Sequence, residues 1–300
     1  MAHYNYSKGY CIQLGNENNW FVTGYENGME YADTFAEIMK LKECPLNEYP
    51  KIVFLNSSNS DQLNEKDIKM ILPSAVNEWK VHNYNAFRIW HSLQSNNIIL
   101  EYKSQEPSKD EKYIAMWSLL SFVFLKCLKI GALPTHSGLA EYKGKGVLFA
   151  ASGGTGKSTT CRRLPSPWKV LCDDENLIMP DGNNKFKVHP FPTWGDYLWD
   201  RSKNKWDIHQ SVPLSAIFFL SRSESDEIEQ LPQDKSSLYI TGTAYQVFAK
   251  TIRSMDNNEQ TAIMSQIFNN AFDISKSVPI YKLKISLTGR FWKKIEEVLI

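Results

Sequence analysis

The stretch GVLFAASGGTGKSTT, residues 146–160, constrains the fold more than any other part of the chain. An apolar strand enters a Gly-rich bend, and Lys157-Ser158-Thr159 then opens a helix, which commits the chain to a mixed architecture. Gly153, Gly154 and Gly156 permit torsions that turn successive backbone N–H groups inward, as phosphate oxygens require. The helix start adds the positive end of its dipole. Lys157 supplies a mobile cation for the β- and γ-phosphates, and the Ser158 hydroxyl a ligand for Mg²⁺. Ser152, Gly153, Gly154, Thr155, Gly156, Lys157, Ser158 and Thr159 are therefore expected to hold the triphosphate of ATP with Mg²⁺. The strict pattern begins with Gly where this chain has Ala151, a tolerated exchange.

Further along, the run WKVLCDDENLIM reads as an apolar strand ending in Asp173, sixteen residues beyond Lys157, and Asp174. One carboxylate at such a strand end can hold Mg²⁺ beside Ser158, and the second can accept the proton of an attacking hydroxyl. A solvated acidic turn is the alternative; the strand before it and the loop upstream favour the chemical reading. Pro165 and Pro167 stop the intervening helix after Leu164, so the site would be assembled compactly.

The rest of the chain supplies context. Strands are expected at 10–14, 20–22, 52–55, 138–142, 146–150, 170–172, 216–220 and 280–285, and hairpins at 87–102 and around 181–184. Helical spacing covers 31–42, 113–130, 243–255, 259–272 and 287–299. The polar run KSQEPSKDEK, 103–112, is the best domain boundary, giving an α+β domain over 1–105, expected to recognise the acceptor, and a catalytic domain over 112–300; an ordinary surface loop is the other reading.

A net charge of +1 gives no global case for nucleic acid or an anionic membrane as partner. The most hydrophobic stretch, 114–128, is too short to span a bilayer, and no signal peptide is evident, so a cytoplasmic protein is expected. The five cysteines, odd in number and without a C-x-x-C pair, read as buried thiols in a reducing compartment.

The segment HSGLAEYKGKGVL from His136, the loop ASGGTGKST and the run LCDDENL together resemble the catalytic core of HPr kinase/phosphorylase, akin in its nucleotide site to phosphoenolpyruvate carboxykinase. With TCRRLP, PW, CDDE and HPFPTW, the chain is more similar still to ScmC-type proteins of the SynChlorMet cassette, found in peptide-modification gene clusters. The resemblance implies an α/β phosphate-loop core of mixed sheet flanked by helices. It implies that Lys157 and Ser158 bind phosphate and metal, that Asp173 is a general base toward a serine hydroxyl, that Asp174 helps hold Mg²⁺, and that His136 sits beside the phosphates. By its residues alone, His136 is a lone histidine before a strand, for which a structural role is the default.

The chain departs from HPr kinase/phosphorylase after the aspartates, where KVHPFPTW replaces a Gly-rich acidic signature; HPr as substrate, phosphorolysis and hexameric assembly are not carried over. His189 in that run is a candidate contact to phosphate, acceptor or a metal-bound water, or else a hydrogen-bonded loop histidine. Arg162, Arg163 and Arg290 are phosphate or carboxylate partners or surface charges. Phe191, Trp194, Tyr197 and Trp199 are one wall of an acceptor pocket or core packing.

The expected function is ATP-Mg²⁺-dependent transfer to a serine or threonine of a peptide or small protein in ribosomal-peptide modification. The alternatives are a small-molecule kinase and a non-catalytic, nucleotide-gated peptide-binding module. No nucleic-acid or membrane partner is expected, and a homo-oligomer is compatible with these features.

Overall fold

The structure, a computed structural model, describes residues 8–15, 18–56, 63–72, 78–151, 155–199, 201 and 206–299. Among these the fold is mixed α+β, with two mixed β-sheets and eight α-helices. The chain divides into two compact units, Met1–Lys126 with Trp194–Arg201, and Cys127–Thr193 with Ser202–Ile300. The division falls in the last turn of a helix, so the polar run 103–112 lies inside the first unit.

In the first unit, β1 (Tyr10–Gln13), β2 (Asn19–Gly24), α1 (Met29–Met39), β3 (Lys42–Glu43) and β4 (Lys51–Asn56) are followed by α2 (Glu65–Ile71), β5 (Trp79–Asn83), β6 (Phe87–Ser92), β7 (Ile98–Tyr102) and α3 (Lys109–Leu128). The strands form one sheet in the order β3-β1-β2-β4-β7-β6-β5. Alternation along the strands divides the faces. Val53, Leu55, Trp90 and Ile99 meet Ile68 and Ile71 of α2, whereas Phe54 meets Phe35 of α1 and His91 meets Phe122 of α3. Helices thus cover both faces of the sheet, α1 and α3 on one and α2 on the other.

The reading of all five cysteines as free thiols is corrected here: Cys11 and Cys44 form a disulfide, while Cys127, Cys161 and Cys172 are free and buried. The pairing of β1 with β3 sets Cys11 opposite Lys42, two residues before Cys44, a proximity that their separation of 33 residues hides.

After α3 come β8 (Leu133–Tyr142), β9 (Lys145–Ala150), α4 (Lys157–Arg162), β10 (Lys169–Cys172), β11 (Glu175–Pro180), β12 (Phe186–Pro190) and α5 (Trp194–Leu198), the last grouped with the first unit. They are followed by β13 (Val212–Arg222), β14 (Glu227–Gln230), α6 (Gln233–Arg253), α7 (Asn257–Ser277), β15 (Ile280–Ile285) and α8 (Phe291–Val298). β8 pairs with β11, β11 with β12, β12 with β13, β13 with β9 and β9 with β8, so these five strands form a closed circuit of pairings.

β13 shows how the layers arise. Ala216, Phe218 and Leu220 point to a core shared with Cys161 at the end of α4 and Phe291 and Ile295 of α8. On the opposite face, Phe219 meets Tyr239 of α6 edge-on at 4.9 Å. No described helix is long and apolar enough to cross a membrane.

Candidate functional site

Five strands lie side by side in the order β10-β8-β9-β13-β15. β8 runs opposite to the other four, so the carboxyl ends of β10, β9, β13 and β15 emerge at one edge. Open α/β sheets hold their ligands outside such an edge. Ala150, where β9 ends, is opposite Ser137 of β8, and the Ser137 amide donates to the Asp174 carbonyl at 2.9 Å. The strand that enters the Gly-rich bend and the acid pair are therefore one strand apart.

Asp173 and Asp174 form the step between β10 and β11, both of which pair with β8. Cys172 pins this step. Its thiol lies 3.1 Å from the Glu175 carbonyl and 3.2 Å from that of Phe191, and its sulfur accepts the Asp174 amide at 3.4 Å. Burial pushes the Cys161 thiol, the next cysteine along this face, up to about 12, and raises Cys172 as well, so both are protonated packing groups and not nucleophiles.

The carboxylates have distinct partners. Asp174 Oδ1 lies 3.2 Å from His136 Nδ1, and Asp173 Oδ1 accepts from the Thr193 hydroxyl at 3.0 Å. His136 stands within β8, opposite Glu175, and not ahead of the strand as its sequence context suggested. β8 begins at Leu133, despite Pro134. Below His136, the Asn176 side chain donates to the Ser137 carbonyl and hydroxyl, bracing the β8–β11 seam.

From the other side, Gly156 caps α4 with φ +107°, a conformation that suits glycine, and a Cβ there would meet nothing within 4 Å. Lys157 follows at 8% exposure. Burial holds its ammonium below the ordinary lysine value, against the opposing pull of Asp174, then Cys161 and Asp173. A buried cation that feels the charge of two carboxylates is chemically suited to a polyanion bridged by a metal. Among the described residues there is no group of three or more His, Cys, Asp or Glu able to hold a metal ion.

Of the other expected site residues, Ser158 is half-buried and Thr159 exposed on α4, and Thr155 lies just before Gly156; Ser152, Gly153 and Gly154 lie outside the described residues. His189 is buried in β12, with Nδ1 donating to the Ile208 carbonyl at 2.7 Å, as a hydrogen-bonded structural histidine would. Among the described residues Arg163 donates to the Ser286 and Gly289 carbonyls, at 2.8 and 2.6 Å, and not to a carboxylate. Arg162 bonds back to the Ser158 carbonyl, and Arg290 is exposed. Phe191, Trp194 and Tyr197 are core residues, whereas Trp199 is 65% exposed.

Thr193 and Gly138 escaped the sequence reading. A Cβ on Gly138 would lie 2.6 Å from Cys161 Sγ, so this glycine lets α4 sit down on β8. The only available signal was its place two residues after His136, inside an otherwise glycine-free strand.

No curated protein matches the chain. The family model of the SynChlorMet cassette protein ScmC matches residues 99–300, which begin inside β7 and take in α3 and everything after it. With that match spanning two thirds of its length, the chain belongs to the ScmC family.

Proposed function

We propose that the second unit is an HPr-kinase-like phosphate-loop core that transfers a phosphoryl group from ATP to a serine or threonine hydroxyl of a peptide or small protein in peptide modification. The observation that carries this reading is the acid pair held one strand from the end of β9, where the Gly-rich bend begins, with Lys157 buried just beyond that bend. The residues fit Mg²⁺ and a triphosphate. Mg²⁺ prefers hard oxygens, usually takes one or two carboxylates with phosphate oxygens, and keeps several waters; Asp174 and Ser158 would supply the protein oxygens. When bound, the metal neutralises charge on the phosphate oxygens.

The chain's own groups divide the remaining work. Lys157 holds the β- and γ-phosphates. His136 orients the Asp174 carboxylate from 3.2 Å. Thr193 fixes one oxygen of Asp173, and Asp173 takes the proton of the acceptor hydroxyl as it attacks the γ-phosphorus in line. The first unit recognises the acceptor.

Incubating the chain with γ-labelled ATP and the precursor peptide of its cassette tests this. Label is expected on a serine or threonine of the peptide. Asp173→Ala should keep ATP binding and lose transfer by on the order of 10²–10⁴-fold, while Lys157→Ala weakens both. Undiminished transfer by Asp173→Ala overturns the base. Label confined to metabolites would assign a small-molecule acceptor, and tight ATP binding without turnover a nucleotide-gated binding module.

A further inference from the structure

Across the carboxyl edge of the second unit the acid pair, the Gly-rich bend and the turns after β13 and β15 follow one another in strand order. The acids lie on the β8–β10 side of β9. If a triphosphate sits at Lys157 with its terminal phosphate toward those acids, the remainder of the molecule runs the other way, over β13 and β15. β15 is two strand spacings from β9, roughly 10 Å at the usual separation.

The turn at that place is unusually well fixed. Asp226 accepts from the Ser286 amide at 2.7 Å and from its hydroxyl at 3.0 Å. The Ser286 hydroxyl accepts the Gly289 amide at 2.9 Å. Arg163, one residue past α4, donates to the carbonyls of Ser286 and Gly289 and lies over the Phe291 ring at 5.1 Å. A Cβ on Gly289 would fall 2.0 Å from Asp226 Oδ2, so the turn closes only with glycine there. These bonds tie the turn to the helix that carries Lys157.

What this scaffold presents is an apolar side chain in water. Leu287 is 91% exposed, more than any other large hydrophobic residue described, and Arg290 is exposed at the far end of the same turn. An exposed leucine at the tip of a fixed turn gains from an apolar planar partner, and a guanidinium stacks on such faces.

We propose that the Ser286–Arg290 turn is the nucleoside end of the nucleotide site, with Leu287 and the Arg290 guanidinium packing against the faces of the base. This rests on the phosphate-loop reading above. It assigns recognition of the base to residues far in sequence from the Gly-rich bend, and leaves the choice among bases to the same turn.

The test is titration of the full chain with Mg·ATP and with Mg·tripolyphosphate, which carries the phosphates without a nucleoside. Wild type should bind ATP more tightly than tripolyphosphate. Leu287→Ser should weaken ATP by roughly tenfold, as loss of a partly buried leucine contact implies, and change tripolyphosphate less than about twofold. Arg290→Ala should act in the same direction. Equal losses for both ligands, or no loss for either, overturn the assignment of the nucleoside while leaving the phosphate site standing. Binding of neither ligand by wild type would overturn the phosphate-loop reading and this proposal together.

Discussion

Lys157 carries a pH dependence whose sign follows from its burial. Its ammonium titrates below the ordinary 10.5 in the folded chain because burial disfavours the charge. Between that lowered value and 10.5 the unfolded chain holds the proton and the folded chain does not, so Lys157 adds stability as pH rises through that window. Nucleotide binding runs the opposite way. A polyphosphate restores the charged form, so binding takes up a proton there and ATP affinity falls as pH rises. Calorimetry between about pH 7 and 10, in buffers of different ionisation enthalpy, should show this loss and the proton uptake. Lys157→Arg, charged throughout, should give a flat profile; a flat profile in the wild type would remove the electrostatic role. At this scale the sequence named Lys157, Asp173 and Asp174 because glycines and paired acids are rare in such a pattern. It was silent on Thr193, whose partner lies twenty residues away and whose neighbours read as an aromatic bend.

Where α4 meets β8, backbone shape decides the fit. Gly138→Ala would drive a methyl to 2.6 Å from Cys161 Sγ and push α4 off the strand. The expected cost is about 1–3 kcal/mol, read by thermal unfolding, with weakened ATP binding in parallel. Cys161→Ala in the same chain should recover much of it; a fully additive double mutant would show that the clash is not the cause. Long apolar elements such as β13 and α3 were legible from their residues alone. Others were not. β14, EIEQ, is an edge strand with mostly exposed side chains and no apolar alternation to betray it. α2 and β5 hold short polar runs whose order depends on the Val53–Trp90 cluster. α6 begins ten residues before its expected start because Leu238, 62% exposed, faces outward and breaks the helical stripe.

For the molecule as a whole, the Cys11–Cys44 bond is the first property to check. Alkylation of the denatured chain without reductant should modify three thiols, Cys127, Cys161 and Cys172, against five after reduction. Replacing Cys11 and Cys44 by serine should cost about 3–4 kcal/mol of stability, the loop-closure value for 33 residues, in chemical unfolding. Five alkylated thiols without reductant would restore the all-reduced reading. The five-strand circuit that joins β8, β11, β12, β13 and β9 has a larger meaning. In an open sheet a hairpin can slip by two residues and still bury its apolar side. Here a slip at any one junction must be matched around the whole ring, so the end of β9, which leads into the Gly-rich bend, and the start of β11, which follows the two aspartates, are held in register by geometry that no single strand can renegotiate.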